Sequence, residues 1–186
     1  MIDSGVAIKL LTKPNTVGVI PTDTVYGIVS KASDQNAVQR LYQLKSRVQK
    51  PGTLLAYDID QLVQLGLKRK YLRPFIKYWP NPLSVVIPCN NLSYLHQGLN
   101  SLAVRIPKNE FLRNILQKTG PLMSTSANLP SQPESKTIQE AKAYFGDKVD
   151  FYLDGGNLSN NKPSTIIQLI DDEVVILRQG EYIFKP

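Results

Sequence analysis

Apolar positions along this chain repeat with two different spacings. Between Asp34 and Leu44, the residues Ala37, Val38, Leu41 and Leu44 fall on one helical face, and Asp34 stands where an N-cap carboxylate accepts a free amide. The same spacing predicts helices over 2–11 (Ile2, Val6, Leu10, Leu11), 60–66, 69–78 and 109–118 (Phe111, Leu112, Ile115, Leu116). Another runs from the capping box Thr137-Ile-Gln-Glu140 to Phe145, where Gly146 stops it. Short apolar runs bounded by Pro, Gly or polar residues predict strands at 16–20, 53–57, 83–87, 102–106, 121–124, 151–153, 165–170 and 174–178. Asp171-Asp172-Glu173 joins the last two as a hairpin, whereas earlier strands alternate with helices. The economical reading is an α/β fold, a mixed β-sheet with packed helices.

At 186 residues, with no fixed-period repeat or linker-like stretch, the chain reads as one domain over 1–186. Its longest apolar runs, about five to seven residues, are far short of the ~20 that cross a bilayer. Lys and Arg number 22 against 15 Asp and Glu, and the resulting +7 favours anionic partners such as nucleotides or RNA. A single cysteine, Cys89, excludes an internal disulfide, and no signal-peptide pattern opens the chain, so a cytoplasmic location is expected. With one histidine, His96, read as an unremarkable loop residue, there is no His/Cys cluster for zinc and little material for a Ser-His-Asp triad. Chemistry must therefore come from Lys, Arg, hydroxyls, amides and a borrowed metal ion.

Four polar segments border apolar strands: Thr22-Asp-Thr24, Lys45-Ser-Arg47, Ser124-Thr-Ser-Ala-Asn128 and Pro163-Ser-Thr165. Strand ends are where α/β sheets place ligands. Lys45 and Arg47 would point to the same side of extended chain just past the helix, making a phosphate clamp; the alternative is a solvated basic helix end. Ser124, Thr125, Ser126 and Asn128 can bind phosphate or sugar oxygens without adding charge, or form a hydroxyl-rich turn. Arg105 lies inside the apolar strand Leu102-Ala-Val-Arg-Ile106 and demands an anion, either a ligand carboxylate or an internal Asp or Glu. Arg178 poses the same question at the end of Val174-Val-Ile-Leu-Arg178. Neither a P-loop nor a G-x-G-x-x-G is present, and Asp154-Gly-Gly-Asn157 reads as a tight turn.

In order, these segments resemble the YrdC/Sua5 family. Pro21-Thr-Asp-Thr-Val-Tyr-Gly27 is similar to its P-T-[ED]-T-x-Y-G, Lys45-Ser-Arg47 to its K-x-R, and Ser126-Ala-Asn128 to its S-x-N. Leu102–Pro107 is similar to its arginine-bearing strand, and Pro163-Ser-Thr165 with Ile176–Gly180 to its closing pair. The resemblance implies a YrdC-like fold with a twisted mixed sheet, and synthesis of threonylcarbamoyl-AMP from L-threonine, bicarbonate and ATP with release of pyrophosphate, for tRNA threonylcarbamoyladenosine modification. By position it implies threonine contacts at Thr22, Thr24, Arg105, Ser124 and Ser164. ATP contacts fall at Lys45, Arg47, Ser101, Ser126, Asn128 and Arg178, with Lys45 and Arg47 catalytic, and magnesium arrives on the phosphates rather than at a protein metal site. A downstream threonylcarbamoyl-transferase complex would take the product. Two departures stand out: Val48 replaces the proline usual after K-x-R, and Ala56 replaces a histidine of longer members. Weak tRNA or RNA binding is expected alongside this activity; rival readings are a double-stranded RNA or tRNA-binding module without chemistry, and a carbamoyl-adenylating relative.

Overall fold

The computed structural model describes residues 4–46, 48–170 and 173–185. Helix α1 (Ser4–Leu11) precedes strands β1 (Val17–Pro21) and β2 (Tyr26–Lys31), then α2 (Gln35–Leu44), β3 (Thr53–Leu55), α3 (Ile59–Leu65) and α4 (Arg69–Leu72). A 3-10 turn over 73–78 leads to β4 (Leu83–Pro88), α5 (Ser93–His96), β5 (Ser101–Arg105), α6 (Glu110–Thr119) and β6 (Leu122–Ser126). The chain closes with α7 (Ile138–Phe145), β7 (Phe151–Tyr152), β8 (Thr165–Ile170) and β9 (Glu173–Arg178). These nine strands form one mixed sheet in the order β7-β1-β2-β6-β3-β5-β4-β8-β9.

Caps appear where the sequence signals them. Asp34 Oδ1 accepts from Ala37 N at 3.0 Å and its Oδ2 from Asn15 N at 2.6 Å, so one carboxylate starts α2 and ties down the turn before β1. Thr137 accepts from Glu140 N, while the Glu140 carboxylate reaches back to Lys136 N rather than to the cap residue. Strand β2 lies outside the predicted elements: Tyr26–Lys31, after the polar turn at 22–24, pairs antiparallel with β1 and β6. The first two strands are therefore a hairpin turning on 22–25, not a strand followed by a helix. His96 also corrects its reading. It is buried on α5, its Nδ1 accepts from Asn100 N at 3.1 Å, and Nε2 accordingly donates to Asn91 O at 3.0 Å, pinning the loop that enters β5.

Strand alternation divides the core in two. Val17, Val19, Tyr26, Ile28, Leu54, Val104 and Met123 enter one cluster, while their neighbours Ile20, Val29, Leu55 and Leu122 enter another with Ala7 and Leu11 of α1 and Leu112, Ile115 and Leu116 of α6. On this second face α1 and α6 cover only part of the sheet. Residues of matching parity elsewhere on it, Gly27, Thr53, Ala103, Arg105, Ser124 and Ser126, are small or polar and line a cavity instead.

Candidate functional site

The cavity holds about 160 Å³ and gathers residues from distant parts of the chain: Thr22, Thr24, Arg105, Ser124, Ser126, Ser164 and Arg178 all line it. Each of these was singled out in the sequence. Close backbone approach makes the floor: a Cβ on Gly52 would fall 2.3 Å from Ser124 O, so only glycine lets the segment before β3 run this near β6. Gly180 is equally constrained, since a Cβ there would lie 2.1 Å from Pro163 O, against which Glu181 N bonds at 2.9 Å.

The 22–25 turn holds its hydroxyls by local bonds. Thr22 Oγ1 donates to Val25 O at 2.7 Å, accepts from Thr24 N at 3.2 Å and meets Thr24 Oγ1 at 3.0 Å. Tyr26 anchors the far side: its hydroxyl donates to Gly156 O at 2.8 Å and accepts from Gly155 N at 2.7 Å, which gives the 154–157 turn a structural purpose. Desolvation raises the Tyr26 pKa, the Gly155 amide opposes it, and the Asp154 carboxylate adds to it.

Between the two threonines, Asp23 supplies the anion that Arg105 demanded. Its Oδ1 lies 3.0 Å from Arg105 Nη2, and the two side chains are only 7% and 6% exposed. Neither Asp23 oxygen nor Arg105 Nε completes a hydrogen bond among the described residues, so the pair is buried yet incompletely satisfied. Of the two partners the sequence left open, the internal carboxylate is the one present, while the guanidinium still faces the cavity.

Lys45 corrects the clamp geometry. It is the C-cap of α2 in αR conformation, followed by Ser46 at φ 46°, so the chain turns there instead of extending. Its ammonium is buried at 1% exposure and donates to Ser126 O at 2.7 Å, to Asn128 Oδ1 at 2.8 Å and to Asn128 O. Asn128 Oδ1 also accepts from Ser126 Oγ at 2.7 Å, and Asn128 Nδ2 donates to Gln132 O at 2.6 Å. The K-x-R lysine and the S-x-N amide thus close one polar knot behind β6, outside the cavity lining. Arg47 lies outside the described residues. Ser101 stands at the opposite end of β5 from Arg105 and is also outside the lining.

Arg178 closes the wall. Nε and Nη2 donate to Ser164 O at 3.0 and 2.8 Å, Nη2 reaches Ser164 Oγ at 3.2 Å, and Ser84 Oγ backs Ser164 Oγ at 3.0 Å. Desolvation lowers the Arg178 pKa; the Glu134 carboxylate opposes this and the Arg105 charge adds to it. Glu134 is the cavity's own carboxylate and was not anticipated, because nothing in the run from Pro130 to Ser135 distinguishes it from a turn. Ser84, fully buried in an apolar strand, was the one detectable signal among the missed residues.

A family model described as Sua5_yciO_yrdC, telomere recombination, matches residues 11–180. The chain belongs to the Sua5/YciO/YrdC family. A threonylcarbamoyl-AMP synthase of Pseudoalteromonas translucida is 33% identical over 162 residues, covering 83% of this chain and 87% of that one. The protein of the same name from Pyrococcus abyssi is 30% identical over 166 residues, 86% of this chain and 49% of its own. The chain spans about half the length of that relative and of its Bacillus subtilis counterpart. Among solved structures, P. abyssi Sua5 complexed with L-threonine superposes with a TM-score of 0.83 at 26% identity over 97% of this chain and 55% of that one. E. coli YciO gives 0.80 at 26% identity, covering 95% and 88%. Both bear out the α/β reading, a mixed sheet with packed helices of the Sua5/YciO/YrdC type. Within this family frame Ala56 is fully buried and its N–H donates to Arg105 O at 3.1 Å, so the departure from histidine leaves the backbone beside Arg105 tied, whereas Val48 is 81% exposed.

Proposed function

We propose that this protein makes threonylcarbamoyl-AMP. The observation that carries the reading is the convergence, in one small cavity, of two guanidinium groups and the hydroxyls of Thr22, Thr24, Ser124, Ser126 and Ser164 from segments spread over most of the sequence. The cavity volume lies below the roughly 300–1,000 Å³ typical of drug-sized ligands, which suits an amino acid inside and a nucleotide reaching out over its rim. Relatives carrying this function in their names, and a Sua5 complexed with L-threonine, support it.

In the proposed reaction the amine of threonine adds to the carbon of bicarbonate, water leaves, and a carbamate forms. A carbamate oxygen then attacks the α-phosphorus of ATP, and the bond to the β-phosphate oxygen breaks to release pyrophosphate. Arg105, with Asp23 fixing one edge of its guanidinium, would hold the threonine carboxylate, and the hydroxyls would orient the side chain and carbamate. Arg178 and Ser126 would face the phosphates. Lys45 and Asn128 would act from behind, by holding the backbone of 126–128, unless the nucleotide exchanges their partners; Arg47 and Ser101 stay in the proposal on resemblance. Among the described residues no group of His, Cys, Asp or Glu could hold a metal ion by itself. Glu134 with the hydroxyls fits a magnesium ion that keeps its waters and arrives on the phosphates, where it would neutralise charge. The product would pass to a transferase acting on tRNA.

Incubation of the purified protein with ATP, L-threonine, bicarbonate and magnesium, followed by mass spectrometry and a pyrophosphate assay, tests the reading. The expected result is threonylcarbamoyl-AMP and pyrophosphate in equal amounts, both dependent on threonine. Pyrophosphate that forms without threonine but with carbamoyl phosphate would replace the reading by carbamoyl adenylation, and no turnover with any of these would sink it.

A further inference from the structure

The net charge of this chain comes from one stretch. From Gln61 to Asn109 there is no Asp or Glu and there are seven Lys or Arg, while the rest of the sequence carries fifteen bases and fifteen acids. Arg105 is one of the seven and is buried against Asp23, but Lys68, Arg69, Lys70, Arg73 and Lys77 crowd into ten residues of α4 and its flanks, including the 3-10 turn after it. Leu72 and Phe75 hold this segment to the core, and all five cations are exposed. Among the described residues only Arg69 of the five pairs with a carboxylate, that of Asp60, while Lys70 and Lys77 lie over the rings of Tyr71 and Tyr78 at 4.8 and 4.9 Å. Like charges this close repel one another, so the strip gains from a partner that supplies anions.

Adjoining the strip is a pocket of about 350 Å³ lined by Ile59, Ile76, Trp79, Pro80 and Ile106, with Arg69 in its wall. Ile76 belongs to the basic segment itself and is 47% exposed. The two acids of the lining are already engaged: Asp58 caps α3 by accepting from Gln61 N at 2.9 Å, and Asp60 holds Arg69. Its aromatic rings are engaged too, since Arg113 lies over Tyr57 at 4.2 Å and Trp79 is buried with Nε1 donating to Leu83 O at 2.8 Å. A nucleic acid would find partners for its phosphates here but no free ring on which to stack a base. An anionic lipid surface has no protruding side chain to fill a concave pocket. A polypeptide that carries both carboxylates and an apolar anchor uses both features at once. We propose that strip and pocket together dock an acidic segment of a partner protein, which seats an apolar side chain beside Ile76 and sets its carboxylates against the neighbouring cations. Ile106 directly follows Arg105, and the Ala56 amide, one residue before Tyr57, donates to Arg105 O at 3.1 Å, so the docked segment would lie against the strand ends that present Arg105 to the cavity.

Selection of short random peptides displayed on phage, against the intact protein, tests this. The expected survivors carry Asp or Glu around a Leu, Ile or Phe anchor, and a fluorescent synthetic copy of the strongest should bind with an affinity that falls as salt rises. Arg73→Glu combined with Lys77→Glu should weaken that binding by about tenfold or more, and Ile76→Ser by about fivefold, each with an unchanged circular dichroism spectrum. Lys148→Glu, which reverses an exposed cation just before β7, should leave it as it was. None of these residues lines the cavity, so pyrophosphate release should be the same in every variant. Peptide binding is read without turnover, so the docking surface and the proposed reaction fail independently. No enrichment, survivors without acids, binding that Lys148→Glu weakens as much as the double reversal, or a labelled tRNA that the strip holds more tightly than the peptide overturns the proposal, the last in favour of an RNA surface.

Discussion

Lys45 places a charge where almost no solvent reaches, and the carbonyls of 126 and 128 are what hold it there. Replacing it by methionine keeps most of the stem but orphans those acceptors, so we expect Lys45→Met to lose about 2–3 kcal/mol of stability, read as a lowered melting temperature. Turnover should also fall, by ~10²-fold or more, if the 126–128 backbone or the ammonium itself serves the developing phosphate charge. Unchanged stability with lost turnover would mean that the lysine leaves its knot to meet the nucleotide. The Asp23–Arg105 pair behaves differently, because among the described residues it is the one ion pair that either side chain makes, and both are almost wholly buried. Arg105→Met should cost about 3–5 kcal/mol by stranding Asp23, and the double variant with Asp23→Asn should recover much of it. Arg105→Lys, which keeps a charge but loses the planar fork, should raise the KM for threonine far more than that for ATP; equal rises would detach Arg105 from the amino acid.

At the level of elements, polar side chains fasten the strands that carry the site. Asp150, just before β7, accepts from Val17 N at 2.8 Å and pairs with Arg40 of α2 at 2.6 Å. Burial works against its ionisation, but the Arg40 hydrogen bond, the Val17 amide and the Arg40 charge outweigh that and hold its pKa below the ordinary 3.8. The folded state therefore favours the ionised form. The stabilisation is complete above the unfolded-state value and is lost as pH falls through the lowered folded one. Because both side chains are partly exposed, about 1 kcal/mol or less is at stake. Denaturant melts of wild type and Asp150→Asn should differ at neutral pH, begin to approach each other only below about pH 4, and converge once pH has fallen through the lowered folded value. Gly52 sets a second constraint, between β3 and β6. Gly52→Ala should push Ser124 out of place, lowering both melting temperature and threonine affinity, whereas Gly98→Ala, with open space around it but a positive φ, should cost stability alone.

Over the whole molecule, +7 is the property that most invites an RNA partner. If those charges met phosphates, tRNA binding would weaken steeply with salt, each neutralised phosphate adding a log–log slope of roughly −0.7 to −0.9. We expect weak tRNA binding instead. The conspicuous cations of the site face inward, Lys45 to backbone carbonyls, Arg105 to Asp23 and Arg178 to Ser164. Titration of labelled tRNA at two salt concentrations, with and without ATP and threonine, decides it; tight binding that ATP leaves intact, without pyrophosphate release, would favour an RNA module. Every helix but the one-turn α5, most strands, the caps at Asp34 and Thr137 and nearly all of the cavity hydroxyls were legible in the chain, because apolar period and cap chemistry are local. Strand β2 escaped because an apolar run after a polar turn has no period to distinguish it, and Glu134 because a turn carboxylate acquires meaning only from what the chain folds against it. Local patterns placed Thr22, Ser124, Ser164 and Arg178 each at a strand end and Arg105 inside an apolar strand. That they share one cavity, that Asp23 answers Arg105, and that Lys45 points to a carbonyl depended on pairing across long sequence separations, where β3 lies between β5 and β6 and β8 returns beside β4. Sheet register is a property of two strands at once, and no single stretch of sequence contains it.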